Sequence, residues 1–361
     1  MLAWTIRDTT KGAMSCRSRS IWLVLLSVAA ASGLSGCAGR AATLSTVWPR
    51  ADVERMVSAP TIPPRWPLTG KDAPTREALA ARIVAVKIEN SPAARPQSGL
   101  DQADVVYETL TEGGITRFIA LFQSSAPGVV GPVRSARASD LWVVQQYRSI
   151  FAHVGGEKAL LDEFRRRNLD DLDQYFNPAP YWRSTDRPAP HNVYADINRI
   201  RSQAVVRGMS ATQTVSALRF DRAAVTATPT VTAVSIPFDT SNVVEWRYDP
   251  ASRTFARFIN GQPHVDRVSG QQYRADNVVV MWARTQPRTH VDANGVRSLD
   301  ILLGGTGQAT VLRAGVRFEG TWDAPETAPP SLKSADGSPI GLSPGRTWFE
   351  VVALSTNIAI R

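Results

Sequence analysis

The sequence predicts an α/β or α+β fold, made of an α/β body with a mixed sheet followed by a mostly β module. Between residues 81 and 209, apolar runs of strand type alternate with segments of helical periodicity, as in a sheet covered by helices. From residue 225 onward, alternating strand runs are separated by Asp-Pro, Asn-Gly and Gly turns. A hydrophobic content of 43% and a charged content of 20% allow such a chain to bury ordinary cores.

The N-terminus predicts secretion and lipid attachment. The stretch "RSRSIWLVLLSVAAASGLSGC" has a basic start and an apolar core, which is the organisation of a signal peptide over residues 1–36. It ends in Leu-Ser-Gly-Cys, which resembles a bacterial lipobox and implies diacylation of Cys37 with cleavage just before it. Met14 as the translation start would give a shorter and more usual basic region. The alternative is a single spanning anchor, but the apolar stretch is shorter than the roughly 20 residues that a membrane-spanning helix needs.

The two cysteines and the segment after Cys37 are both consistent with a lipid anchor. The chain has two cysteines; Cys16 would leave with the signal peptide and Cys37 would carry the lipid. The mature domains would then hold no thiol, which excludes a cysteine nucleophile and a thiolate metal site. Residues 37–65 are rich in Pro, Ala and Thr and are predicted to form a tether, the alternative being a packed irregular arm near Trp66. We therefore expect an extracytoplasmic protein, attached to the cell membrane by its lipid.

The α/β body is predicted over residues 66–220 and begins with a strand at 81–90. A hairpin over 103–124 follows, in which two β-branched and aromatic runs flank Gly113-Gly114. A two-residue turn at these glycines would place an arginine opposite Leu110, diagonally between two glutamates on the same face. The predicted members of this structural ion network are Glu108, Glu112 and Arg117.

Helices and strands alternate through the rest of the body. The segment 170–196 is aromatic and punctuated by proline, and an ordered loop of this length is usually functional or covers a site. The mostly β module is predicted over 221–361. The other predicted elements are a helix at 136–148, a strand at 149–154, a helix at 157–168 and a helix at 197–209.

Charge and missing motifs limit the functional classes. A net charge of +9 and a calculated pI near 10 suit a polyanionic partner such as an acidic wall polymer or anionic lipid. The arginines are scattered without a dense basic run, so nucleic acid is not expected as a partner. The sequence lacks Ser-x-x-Lys, Walker and His-Glu-x-x-His motifs. Its four histidines have no paired-ligand spacing, so we expect neither a metal nor another cofactor.

The candidate ligand-binding residues lie at the ends of predicted strands and helices and in the long loop. In α/β sheets these ends converge at one edge, where ligands usually bind. The two arginines of "GPVRSAR" would lie at the positive end of a helix dipole, which costs a few tenths of a kcal/mol each unless an anion or carboxylate compensates. The predicted set is Asn90, Arg95, Gln97, Arg134, Arg137, His153, Arg183, Arg187, His191 and Asn192.

The alternative is that these groups are satisfied within the protein. Asp140 lies close enough in sequence to pair with Arg134 or Arg137. His153 has an equally good interpretation as a hydrogen-bonded core histidine. If the arginines lie apart or bury against carboxylates, the hypothesis of one shared anion site fails.

Several motifs resemble a bacterial lipoprotein family typified by YerB. They include "VAVKIENSPAARPQSGLDQADVVYETLTEGGITRFIALFQS", "GPVRSAR", "HVGG", "YFNPAPYWRSTDRPAPHN", "NVVVMWA", "GTGQATVLRAGVRFEGTW" and "DGSPIGLSPGRTWFEVV". The likeness runs from about residue 66 to 353, with Glu89 where the family pattern has Asp. It implies a lipoprotein with an N- and a C-terminal domain, and brings no established activity. The motif order is also faintly similar to LytR–CpsA–Psr wall-polymer transferases, from which no residue role is transferred.

Two hypotheses of function follow. The first is a lipid-anchored envelope protein that uses an arginine-lined edge to bind an anionic glycan, a wall polymer, a lipid phosphate or a protein partner. The second is an enzyme acting on phosphate-bearing, lipid-linked envelope intermediates, in which Glu108, Glu112 or His153 supplies acid–base catalysis. The sequence does not predict the oligomeric state.

Overall fold

A computed structural model describes residues 62–223, 225–291 and 297–361. The predicted signal peptide, Met14, the predicted lipobox with Cys37 and nearly all of the predicted tether lie outside the described residues. The first half of the described chain contributes strands β1 (Val84–Glu89), β2 (Val105–Leu110), β3 (Thr116–Phe122), β4 (Ile150–His153), β5 (Asp171–Asp173), β6 (Tyr181–Arg183) and β7 (Val193–Ala195), and helices α1 (Ala138–Tyr147), α2 (Lys158–Arg166) and α3 (Ile197–Val206).

The second half is almost entirely strand, as the sequence predicts. Its elements are β8 (Ala233–Asp239), β9 (Asn242–Asp249), β10 (Thr254–Ile259), β11 (Gln262–Pro263), β12 (Arg274–Ala275), β13 (Asn277–Ala283), β14 (Thr285–Val291), β15 (Arg297–Ile301), β16 (Gly305–Arg313), β17 (Val316–Ala324), β18 (Ser331–Ser334), β19 (Thr347–Ala353) and β20 (Ala359–Ile360).

A ten-stranded mixed sheet joins the two halves of the chain. Its strand order is β18-β17-β16-β13-β19-β2-β3-β1-β4-β5. At the junction, β19 pairs in parallel with β2, with Thr347 opposite Val105 and Val351 opposite Thr109. A mixed sheet with few helices confirms the predicted α+β class. The two predicted bodies therefore share a single sheet, while the boundary at residue 220 stays a prediction.

Each face of this sheet is covered by a different layer. Alternate residues of a strand point to opposite faces. Val86 and its neighbours on one face pack in a core with Trp246 of a second sheet, ordered β11-β10-β9-β8-β20, and with Ile200 of α3. Ala85 points to the other face, where the core includes residues of α1 and α2 such as Phe164. β1 is thus buried along its whole length, so groups at its end lie in the middle of the molecule.

The β2–β3 hairpin differs from its prediction by one residue of register. Arg117 lies opposite Thr109, and Glu108 lies opposite Phe118. The turn is longer than two residues, because the Thr111 N–H donates to the Ile115 carbonyl at 2.8 Å across a short 3₁₀ turn. A shift of one residue moves a side chain to the other face. The predicted network of Glu108, Glu112 and Arg117 on one face is therefore wrong in its geometry.

Candidate functional site

The "GPVRSAR" segment runs beside the end of β1. The Arg134 N–H donates to the Lys87 carbonyl and the Glu89 N–H donates to the Pro132 carbonyl, at 2.8 and 2.9 Å. This pairing places the Arg134 guanidinium Nε 3.1 Å from a carboxylate oxygen of Glu89. His191 Nδ1 lies 2.9 Å from the same carboxylate. Arg134, a member of the predicted anion site, therefore faces an internal carboxylate.

Asn90, the next residue, is the centre of a second set of hydrogen bonds. Its side-chain oxygen accepts from Arg95 Nε at 3.0 Å and from Gln97 Nε2 at 2.9 Å. Its amide nitrogen donates to Glu108 at 3.1 Å and to the Thr116 hydroxyl at 2.8 Å. Burial lowers the pKa of Arg95 to about 10, with the Glu108 carboxylate opposing that effect. The structure thus brings Asn90, Arg95 and Gln97 together in one hydrogen-bonded set.

The long loop closes over this corner. Arg187 donates to the carbonyl of Pro96 and is 9% exposed. Arg183 donates to the Asn192 side-chain oxygen at 2.8 Å, while the Asn192 amide donates to the Ser184 carbonyl at 2.9 Å. The loop therefore acts as a cover held by internal contacts.

Arg137 stands at the N-cap of α1, and two carboxylates offset its charge. Its guanidinium lies 2.8 Å from Glu112, which also accepts from the Ser298 hydroxyl at 2.8 Å. Burial alone would raise the pKa of Glu112, but the hydrogen bonds and charge of Arg137 hold it at about 2. Asp140 in the first turn accepts from the Arg137 N–H at 2.8 Å and so caps the helix.

Arg117 lies behind Arg137 and is 6% exposed. It donates to the Ser135 carbonyl at 2.8 Å. Within the described parts of the chain, its guanidinium has no carboxylate within 4.0 Å. Burial, followed by repulsion from Arg137, lowers its pKa to about 9. This places an unneutralised positive charge beneath the "GPVRSAR" segment.

His153 is fully buried and is held by hydrogen bonds within the protein. Its Nδ1 donates to the Gly155 carbonyl at 2.8 Å, and its Nε2 lies 2.7 Å from Asp171. Burial alone would lower the pKa of His153, but the Asp171 hydrogen bond and charge outweigh it and raise the pKa. Since both nitrogens face acceptors, the imidazolium form fits this position. This geometry is that of a hydrogen-bonded core histidine.

A cleft lies beside Arg137, between the N-terminal ends of α1 and α2. Its volume is about 310 Å³, and it adjoins a second cavity of about 270 Å³ that shares Ala138, Leu160 and Arg288. We call the two together the helix cleft. The charged residues lining it are Arg137, Lys158, Arg166, Arg167 and Arg288, against Glu157, Glu163 and Asp300.

Sequence reasoning anticipated only part of this cleft. Of the predicted ligand-binding residues, Arg137 lines the cleft, beside Gly156 at the start of the α2 segment. Arg288 belongs to β14, far along the chain, and no local pattern connects it to α2. It reaches the cleft because its Nε lies 3.2 Å from Glu157.

A fully buried ion network between the two sheets was also missed. Arg257 of β10 donates to Glu108, and its guanidinium carbon lies 5.1 Å from the Trp348 ring centre. Burial, then the neighbouring Glu108 charge, raises the pKa of Glu350 well above its usual value. Burial and the Arg257 charge lower the pKa of His264, which stays neutral. None of these groups reaches solvent, so the network is structural.

Residues 62–223, 225–291 and 297–361 contain no group of three potential metal ligands. Among the same residues, no helix is both long and apolar enough to span a membrane.

This architecture defines a class of α+β protein in which one sheet spans both halves and most arginines at one edge are paired internally. Residues 68–210 match the family described as "Protein of unknown function (DUF3048) N-terminal domain", and residues 234–349 match the corresponding C-terminal domain. The chain belongs to this YerB-like family, which confirms the resemblance predicted from its motifs.

The YerB protein of Bacillus subtilis is similar to this chain in both sequence and structure. The chain is 33% identical over 292 residues to "Putative lipoprotein YerB" of Bacillus subtilis (strain 168), covering 79% of this chain and 85% of that protein. The crystal structure of the YerB protein from Bacillus subtilis matches with a TM-score of 0.73 at 31% identity, covering 82% of this chain and 99% of the solved one. The solved chain therefore corresponds to a body of about the extent described above.

Proposed function

We propose that this protein is a lipid-anchored extracytoplasmic protein that binds an anionic envelope glycan or wall polymer in the helix cleft. The observation that carries the proposal is the charge of the cleft. Its lining holds five basic residues and three carboxylates, with Arg117 adding a further buried cation behind it. An anion in the cleft would be attracted by this excess and by the N-terminal ends of two helices.

Ion pairs within the protein determine which basic side chains are available to contact the ligand. Arg137 lines the cleft but is already engaged by Glu112, so it positions the wall rather than contacting the ligand alone. Arg134 is engaged by Glu89 and is not among the residues that line the cleft. Lys158 is different, because its side chain is 88% exposed and, among the described residues, its ion-pair partner is Asp162 of its own helix. We therefore assign the direct contact to Lys158, supported by Arg288.

The enzyme hypothesis has less support. Acid–base catalysis requires a group that can reach the substrate. Glu108 and His153 are both 0% exposed. Glu112 has a pKa of about 2, which makes it a weak base at neutral pH. Binding is therefore the better-supported function.

Charge reversal in the cleft tests the binding function. We expect Lys158→Glu/Arg166→Glu to weaken binding of poly(glycerol phosphate) at least tenfold in calorimetry, about 1.4 kcal/mol. Neutral dextran should not bind. The matched control Arg317→Glu/Lys333→Glu changes the net charge equally at two half-exposed positions on β17 and β18. An equal loss of affinity in both variants would show that the polymer binds by general electrostatic attraction and not in the helix cleft.

Lipid attachment has its own test. The relative's name and the lipobox both support processing at Cys37. We expect Cys37→Ser to accumulate as unprocessed precursor and to leave the membrane lipoprotein fraction. Mass spectrometry of the wild-type protein should show a diacylated Cys37 at the mature N-terminus, and an unmodified Cys37 would contradict the proposal.

A further inference from the structure

A second cavity, on another part of the body, has a different character. It has a volume of about 580 Å³ and lies between the first described residues and the segment that follows α3. Its walls are mainly apolar, with Trp66, Leu79, Val215 and Phe220 among them. We call it the Trp66 groove. Neither the helix cleft nor the buried ion network contributes to it.

The polar residues of the Trp66 groove are basic or neutral. Arg65 and Arg76 line it, and both are exposed. Among the described residues, the nearest carboxylate partner of Arg65 is Asp72, at 4.0 Å, and Asp72 is already paired with Arg222 at 2.5 Å. An apolar groove with cations at its rim is complementary to a molecule with an apolar part and an anionic head.

The position of the groove in the chain indicates where such a molecule would come from. Arg65 is three residues from Ile62, the first described residue, which is 74% exposed. The 25 residues from Cys37 to position 61 can span at most about 85 Å even when fully extended. If Cys37 carries the lipid, the groove therefore stays within reach of the bilayer surface.

We infer that the Trp66 groove binds an anionic phospholipid of the membrane to which the protein is tethered. Arg65 and Arg76 would contact the lipid phosphate, while Trp66, Val215 and Phe220 would pack against the glycerol and upper acyl region. The contact would hold the body in one orientation, with the groove facing the membrane. This inference does not depend on the ligand of the helix cleft.

Vesicle binding without the covalent lipid tests the inference. The chain from residue 38 to 361 keeps every described residue and both cores, and a solved relative of about the same extent as the described body forms a crystal structure. We expect it to co-sediment with phosphatidylglycerol vesicles at 0.1 M salt and not with phosphatidylcholine vesicles. Arg65→Glu/Arg76→Glu should weaken that binding at least tenfold. Arg317→Glu/Lys333→Glu, with the same change in net charge, should keep it.

A second pair of variants separates groove binding from surface attraction. Val215→Asn puts an amide into the apolar groove and should weaken binding about fivefold. Val206→Asn makes the same change at a 77% exposed position on α3 and should have no effect. Near-UV circular dichroism would reveal whether the charge-reversal variant fails to fold. In that case, the comparison of Val215→Asn with Val206→Asn still tests whether the groove binds the lipid. The inference would be overturned if the protein did not bind phosphatidylglycerol vesicles. It would also be overturned if a groove variant and its matched control weakened binding equally.

Discussion

Most buried charges among the described residues occur in groups that compensate one another, and Arg117 is an exception. Lys87 and Asp140 are both 0% exposed and lie 2.7 Å apart, and the same carboxylate group caps α1 through the Arg137 N–H. Burial lowers the pKa of Lys87 to about 8, with Asp140 opposing that effect. A charge without a partner at such depth would be far more costly. The arginines of "GPVRSAR" follow this pattern, since the anions they face are Glu89 and Glu112.

The Glu112–Arg137 pair predicts a stability that depends on pH. The folded-state pKa of Glu112 is about 2, below its ordinary value of 4.5, so its contribution is fully present above pH 4.5 and is lost as the pH falls to 2. We expect Glu112→Gln to lower the free energy of unfolding by about 2 kcal/mol at pH 7, less than the full pKa change implies because Arg137 is partly solvated. Urea unfolding at pH 7, 4 and 2.5 measures the difference.

The control is Glu319→Gln, which removes a half-exposed partner of Arg317. It should have little effect on stability at any of these pH values. A Glu112→Gln deficit that stays equally large at pH 2.5 would show that the glutamate acts through packing and not through its charge.

At the scale of elements, periodicity located the helices well. The three predicted helices overlap α1, α2 and α3, with their ends shifted by up to three residues. The hairpin register was missed because a glycine pair permits several turn lengths. Gly113 and Gly114 both have positive φ, at 70° and 72°, within a longer connection than a two-residue turn. That single extra residue decided which face each charged side chain occupies.

The two turn glycines should respond differently to substitution. Both would be strained by a side chain at their φ, at roughly 1 kcal/mol each. A Cβ on Gly113 would meet open space, whereas one on Gly114 would lie 2.7 Å from Cγ of Asp239. We therefore expect Gly114→Ala to lower the free energy of unfolding by about 1 kcal/mol more than Gly113→Ala, measured by urea unfolding. Asp239→Ala should abolish that excess in a double-mutant cycle, and equal costs for the two glycines would contradict the described contact.

At the scale of the whole molecule, the sequence predicts the fold class correctly. It does not predict that the two halves of the chain are joined in one sheet. Strand alternation in the second half predicted a β-rich module, because each strand there carries its own local pattern. The pairing of β19 with β2, and the Arg257–Glu108 contact between the sheets, join residues far apart along the chain. Local patterns hold no information on such pairings. The same limit hid Arg288 from the predicted site, although Asn90, Arg95 and Gln97 could be grouped because they are close in sequence.

The shared sheet predicts that the body unfolds as one unit. Separating the halves would expose the edge of β2 and remove the Arg257 partner of Glu108, leaving a buried carboxylate without its cation. We expect residues 38–361 to give one calorimetric transition whose calorimetric and van't Hoff enthalpies agree. Residues 62–222 expressed alone should aggregate or lack a cooperative transition. Two separate transitions in the whole chain, together with a stable isolated first half, would show instead that the halves are independent domains that only share an edge.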